Sequence, residues 1–169
     1  MNSKFQALAL TGSALLAMGL GATSAHAAPA TAQAQAKAKI LKQLTITKNT
    51  DIDFGTIVSG PNAGTVEIAA NGGRTCDANL TCTGATTAAT FTVTGSNNAI
   101  VTVTVPATVS LASGTNTMSA SLSAPATLSL GNSGSTGTAL NFGGTLSVGA
   151  NQADGDYSSA NFAVTVNYQ

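Results

Sequence analysis

Between residues 40 and 168, apolar side chains return at every second position, in short runs separated by turn residues. Val101, Val103 and Val105 alternate with Thr102 and Thr104, and Met118, Ala120 and Leu122 form another such run. Leu140, Phe142, Leu146 and Val148 share one parity, as do Phe162, Val164, Val166 and Tyr168. Period two gives a strand one apolar face, whereas a helix needs returns every three to four residues. The runs are rich in Val, Ile, Thr and Phe, which suit a pleated, half-buried surface. Ser59-Gly60-Pro61-Asn62, Asn71-Gly72-Gly73, Gly95-Ser96-Asn97-Asn98, Gly131-Asn132-Ser133-Gly134 and Asp154-Gly155-Asp156 supply turns between them. Ile40, Leu44 and Ile46 read as the first strand, with Lys42 interrupting. About eight or nine short strands, each with one apolar face, must pack as two layers. The pattern therefore predicts an all-β antiparallel sandwich over residues 40–169, and alternation alone leaves a closed barrel open.

The residues ahead of this pattern read differently. Lys4 makes a weakly basic start, residues 5–20 are mostly apolar and uncharged, and Ala25-His26-Ala27 offers small residues at the cleavage positions. That order predicts a secretory signal peptide over residues 1–27. The apolar run contains Thr11, Gly12, Ser13 and Gly19, and falls short of the roughly 20 strongly apolar residues a spanning helix needs. No later stretch predicts a membrane span. Residues 28–39 follow as Ala-Pro-Ala-Thr-Ala-Gln-Ala-Gln-Ala-Lys-Ala-Lys, with alanine alternating strictly from Ala30 to Ala38. A helix there would have no apolar stripe to hold it to the domain, so these residues are expected to form a flexible or extended arm.

Only 7% of the chain is charged, against about 25% in ordinary globular proteins. Beyond residue 27 the cations are Lys37, Lys39, Lys42, Lys48 and Arg74, and the acids are Asp51, Asp53, Glu67, Asp77, Asp154 and Asp156. Such a distribution offers no basic face for nucleic acid and no polybasic anchor for lipid. A weakly charged surface of Thr, Ser, Asn, Gly and Ala offers little repulsion between copies, which suits self-assembly, although a plain low-charge secreted domain has the same composition.

Cys76 and Cys82 are an even pair in the part expected to be exported, and read as a disulfide closing a short loop. Zinc would need further ligands, and no histidine follows His26. The loss of His26 with the leader also removes Ser-His-Asp and Cys-His arrangements. A Ser-Lys dyad is poorly served, because the lysines cluster in the arm and first strand. A glycosidase pair drawn from Asp51 or Asp53 with Asp154 or Asp156 would lack aromatic platforms, since the chain has no tryptophan and two tyrosines. No Gly-rich phosphate loop is present. Asp51, Asp53, Asp154 and Asp156 are the calcium candidates, as oxygen-rich positions, and turn chemistry explains the same residues without a metal. The expectation is a protein with no catalytic site and no cofactor.

The final residues, Gly155 and then Phe162, Val164, Val166 and Tyr168, resemble the closing strand of chaperone–usher pilins, in which alternating apolar residues end on a penultimate Tyr and a Gly precedes the last residue by fourteen. Asp53-Phe54-Gly55 is similar to a strand start common in those subunits. A closer resemblance is to the uncharacterised exported family called domain of unknown function 4402. It is carried by Leu44-Thr45-Ile46-Thr47-Lys48, Asp53-Phe54-Gly55-Thr56-Ile57, Gly64-Thr65-Val66, Phe142-Gly143-Gly144-Thr145-Leu146-Ser147-Val148-Gly149-Ala150-Asn151 and Val164-Thr165-Val166-Asn167-Tyr168, and covers residues 40–169. These likenesses imply an immunoglobulin-like or pilin-like sandwich in a Gram-negative exported protein, located in the periplasm, at the cell surface or outside the cell. The pilin likeness further implies strand donation, with a periplasmic chaperone and an outer-membrane usher as partners. The arm has the position and period of a donor, but its alanines are small where a donor fills deep pockets. The expected function is a fimbria-like or cell-surface structural subunit; the alternative is a periplasmic or secreted binding module or adhesin with ligand sites on its loops.

Overall fold

The computed structural model describes residues 27–132 and 136–169. The chain divides into two compact units, Met1–Ala38 and Lys39–Gln169. The leader expected over residues 1–27 lies, Ala27 apart, outside the described residues, and so do residues 133–135 of the predicted Gly131–Gly134 turn. Residues 27–38 are exposed throughout and join no strand.

The second unit is all-β and antiparallel, with no helix among the described residues. In chain order its strands are β1 (Thr45–Thr50), β2 (Thr56–Val58), β3 (Gly64–Ile68), β4 (Arg74–Cys76), β5 (Thr81–Thr83), β6 (Ala89–Thr94), β7 (Ile100–Thr104), β8 (Thr108–Ser113), β9 (Asn116–Ser123), β10 (Thr127–Ser129), β11 (Thr138–Val148), β12 (Ser158–Ser159) and β13 (Thr165–Tyr168). The described strands number thirteen rather than eight or nine. Eight have four or more residues; the other five, β2, β4, β5, β10 and β12, have two or three. A segment that short carries at most two inward side chains, too few to make a period.

The largest sheet runs β1-β6-β11-β9-β8-β12, with β3 joined to β11 and β4 to β3. A second sheet runs β10-β7-β13, and β2 pairs with β5. Two apolar clusters fill the space between the layers. One gathers Phe54, Val66, Ile68, Leu80, Leu146 and Val148; the other gathers Phe91, Val93, Val101, Leu130, Leu140 and Phe142. In the second cluster the rings of Phe91 and Phe142 stack with centroids 5.7 Å apart. Ile52 packs against both clusters.

β11 connects the two clusters. Its first half pairs with β6, from Thr138↔Val93 to Phe142↔Ala89, and delivers Leu140 and Phe142 to one cluster. Its second half lies between β3 and β9 and delivers Leu146 and Val148 to the other. Gly143 and Gly144 mark the change of partner. A Cβ on Gly143 would run into the backbone carbonyl of Ile68, so a residue without a side chain is needed for the backbones to come this close.

The outward faces match the low charge of the sequence. Thr45 faces Thr94, with their hydroxyls hydrogen-bonded at 2.5 Å, and Thr50 meets Thr90 at 2.7 Å. Such cross-strand pairs stabilise an antiparallel ladder where ion pairs are scarce. The one salt bridge among the described residues joins Lys48 to Asp51 at 2.9 Å and is exposed.

The start of the domain departs from expectation. β1 begins at Thr45, and Leu44 and Ile46 pack inward, but Ile40 is 94% exposed and outside any strand. At Lys42 the backbone is diverted to other partners: its N–H donates to Ser96 Oγ at 2.7 Å and its carbonyl accepts from the Tyr168 hydroxyl at 2.6 Å. The alternation from Ile40 onward is therefore not one continuous strand.

Candidate functional site

The C-terminal residues keep the predicted parity. Phe162, Val164, Val166 and Tyr168 are half-buried and pack against the Phe91–Phe142 cluster, while Asn161, Ala163, Thr165, Asn167 and Gln169 face outward. Only Thr165–Tyr168 forms a ladder, with β7, in the register Val166↔Val103 and Tyr168↔Val101. Residues 160–164 lead into it without joining a strand. The Tyr168 hydroxyl accepts from the Ser96 N–H at 2.7 Å as well as donating to Lys42. Gly155 has φ of 146°, and a Cβ there would collide with the side-chain hydroxyl of Ser113. Backbone conformation and close packing both favour glycine at this position.

Cys76 and Cys82 form a disulfide, as expected. Their Cα atoms are 6.2 Å apart, and both side chains pack on the Phe54 cluster. The bond closes a short ring, yet it joins two ladders, since β4 pairs with β3 and β5 pairs with β2. Arg74 reinforces the junction: its guanidinium donates to the carbonyls of Thr83 at 2.7 Å, Gly84 at 3.3 Å and Cys82 at 3.2 Å. The planar fork of an arginine suits three carbonyl acceptors on neighbouring residues. Nothing in composition signalled this role; a single arginine in a nearly uncharged sequence was the only hint.

The calcium candidates are not brought together as a metal site. Asp51 is engaged by Lys48. Asp53 Oδ1 accepts from the Gly55 N–H at 2.8 Å, an Asx-type turn, and the backbone of Asp53 exchanges hydrogen bonds with Thr87 at 2.9 and 3.2 Å. Among the described residues, no group of three or more His, Cys, Asp or Glu is placed to hold a metal ion.

The four acids instead border a trough that the sequence did not disclose. One stretch, about 780 Å³, lies between residues 46–54 and 157–164, with Ile46, Phe91, Val109 and Phe162 among its walls. A second stretch, about 620 Å³, is floored by Met118, Leu146 and Val148 and bordered by Asp154 and Asp156. The two adjoin at Ile52, Asp53, Phe54, Leu111 and Tyr157, which line both. Tyr157 is fixed at the junction, its hydroxyl donating to the Ala153 carbonyl and accepting from Gln152 Nε2, both at 2.8 Å. Asp51, Asp53, Asp154 and Asp156 are all exposed along the depression. Lys48 is the one cation among the described lining residues, so the trough carries net negative charge.

The strands beside the trough have unpaired edges among the described residues. β1 pairs only with β6, β12 only with β8 and β13 only with β7. Polar backbone groups along such an edge can receive another strand.

A family model described as Domain of unknown function (DUF4402) matches residues 44–168. The chain belongs to this family. The DUF4402 match begins at Leu44, which packs against the Phe91–Phe142 cluster, and ends at Tyr168, which ties the last strand to Lys42. It takes in the disulfide ring, the trough and its four acids, and leaves out residues 28–39. No curated protein and no solved structure was found to match the chain. No helix among the described residues is long and apolar enough to cross a membrane.

Proposed function

We propose that this DUF4402 protein is a non-catalytic exported structural protein, a fimbria-like or cell-surface subunit built to pack against copies of itself. The observation that carries the reading is the pair of open edges at β1 and β13 on a domain whose outward faces are hydroxyl-rich and nearly uncharged. Isolated soluble domains ordinarily blunt their edges with charge, a bulge, proline or a covering loop; β1 has Lys48 and a register shift beside it, whereas β13 carries neither charge nor proline. The signal-like leader, the disulfide and the pilin-like closing residues support export, and a periplasmic chaperone with an outer-membrane usher would fit the same reading. Shearing the surface of producing cells and viewing the material by negative stain tests it. Ordered polymers that contain this chain are expected; a chain found only as a monomer in the periplasmic fraction overturns it.

The second reading, a binding module or adhesin, draws on the trough, whose stretches fall within the usual size of ligand sites. It predicts a monomer whose melting temperature rises with ligand.

A further inference from the structure

The cations of this chain are unevenly placed. Beyond residue 27, Lys37, Lys39, Lys42 and Lys48 lie close together, Arg74 follows, and residues 75–169 contain no lysine or arginine. A protease that recognises lysine or arginine through an acid in its specificity pocket therefore meets only the bonds Lys37–Ala38, Lys39–Ile40, Lys42–Gln43, Lys48–Asn49 and Arg74–Thr75. The fold sorts them. To be cut, the backbone must leave any ladder, and the carbonyl of the scissile bond must turn into the oxyanion hole of the protease. Arg74 sits in β4 opposite Ile68, with its guanidinium committed to three carbonyls. Lys48 lies in the β1–β6 ladder opposite Phe91, with its ammonium on Asp51. Lys42 is exposed and precedes β1. Yet the carbonyl of its scissile bond accepts from the Tyr168 hydroxyl at 2.6 Å, and its N–H donates to Ser96 Oγ at 2.7 Å. Lys37 and Lys39 remain, both exposed and flanked by exposed residues in no strand. The boundary between the two compact units of the chain falls between them, after Ala38.

We propose that Lys37–Ala38 and Lys39–Ile40 are processing sites, at which a trypsin-class serine protease outside the cytoplasm removes the arm, and that the hold of Tyr168 on Lys42 sets where trimming stops. At each site the peptide C–N bond breaks. The oxygen of one water completes the new lysine carboxylate, and both its protons end on the new amine of Ala38 or Ile40, so the net step consumes only water. Exposed segments with small and polar residues are the usual places for such cuts. The remaining chain keeps the whole family match, residues 44–168, with the disulfide, both apolar clusters and the Tyr168 bonds. Trimming therefore changes the exposed N-terminal residues and leaves the sandwich as it is. Only export is taken from the proposed function, so the processing suits a subunit and a binding module alike.

The folded chain from residue 28 onward, treated with trypsin and followed by intact mass, gives the first test. Cuts after Lys37 and Lys39 should leave a product that resists further digestion and melts at an unchanged temperature. No cut, or a first cut at Lys42, Lys48 or Arg74, overturns the proposal. The K37Q/K39Q variant, whose changes are exposed, should be cut roughly a hundredfold more slowly; an unchanged rate overturns it too. Tyr168→Phe, and separately Ser96→Ala, should speed cutting at Lys42–Gln43 about tenfold. The Arg74–Thr75 bond is the control, since it opens only if β4 unfolds, and a variant cut there is set aside for the other. Lys42–Gln43 cut no faster in a folded variant overturns the hold on Lys42 as the stop. The second test sequences the N-termini of the chain from the exported fraction of the cells that make it. Chains beginning at Ala38 or Ile40 are expected. Exported chains that all begin ahead of Ala38 overturn the processing and leave the subunit role standing. A chain never exported, its leader still attached, removes both.

Discussion

The hydroxyl of Tyr168 donates to the carbonyl of Lys42, 126 residues earlier in the chain, at 2.6 Å. The same oxygen accepts from the N–H of Ser96 at 2.7 Å, so one phenol ties the last strand both to the approach to β1 and to the turn after β6. Replacing Tyr168 with Phe keeps the ring and removes both bonds. A loss of about 1–2 kcal/mol is expected, read as a lower melting temperature by calorimetry. Faster amide exchange at Ser96 would assign the loss to this latch, and unchanged exchange there would refute the assignment.

Gly143 sits where a Cβ would strike the Ile68 carbonyl. Changing Gly143 to Ala should cost about 1–3 kcal/mol, because relief requires β3 and β11 to separate. Gly149 is the control: a Cβ there meets only the side-chain oxygen of Gln152, at 3.0 Å, and no backbone. Equal melting temperatures for the G143A and G149A variants would show that the close approach is not limiting.

The Cys76–Cys82 ring encloses few residues, so the entropy it removes from the unfolded chain is modest. Changing both cysteines to Ser should lower stability by about 2 kcal/mol. The effect should concentrate at β2 and β5, which pair as strands only with each other and are held to the domain in part by this bond and Arg74. Denaturant titration with exchange mass spectrometry would read both, and uniform loosening of all strands would contradict the local account.

Arg74→Met keeps much of the apolar stem and removes the donors to Cys82, Thr83 and Gly84. The Thr83 and Gly84 carbonyls are exposed and can turn to water, so a loss of about 1 kcal/mol is expected. Arg74→Lys should recover only part of it, since an ammonium lacks the planar fork. Full recovery by lysine would mean that charge, not geometry, is what the site needs.

Much of this fold can be read from the sequence because a strand writes its buried face at period two. The parities of Val101 and Val103, of Leu140, Phe142, Leu146 and Val148, and of Phe162 to Tyr168 all match their burial. The cysteine pair was equally readable from its count and spacing. Ile40 was misread because parity does not report where a strand starts, and the start is set by Tyr168 and Ser96, far away in sequence. β4, β5 and β12, with two or three residues each, are not legible for lack of a full period. The trough was invisible because Asp51 and Asp53 meet Asp154 and Asp156 only through tertiary folding. Each pair, taken alone, looks like turn chemistry.

β11 threads both apolar clusters on a single run of eleven residues. Loosening either end pulls on the other, so neither half of the sandwich has a private hinge line along which to open. Heating should therefore give one sharp endotherm, and a pulling force applied across the domain should meet a single high barrier instead of a chain of weak steps. For the surface subunit proposed above, that all-or-none character would be worth more than any single contact.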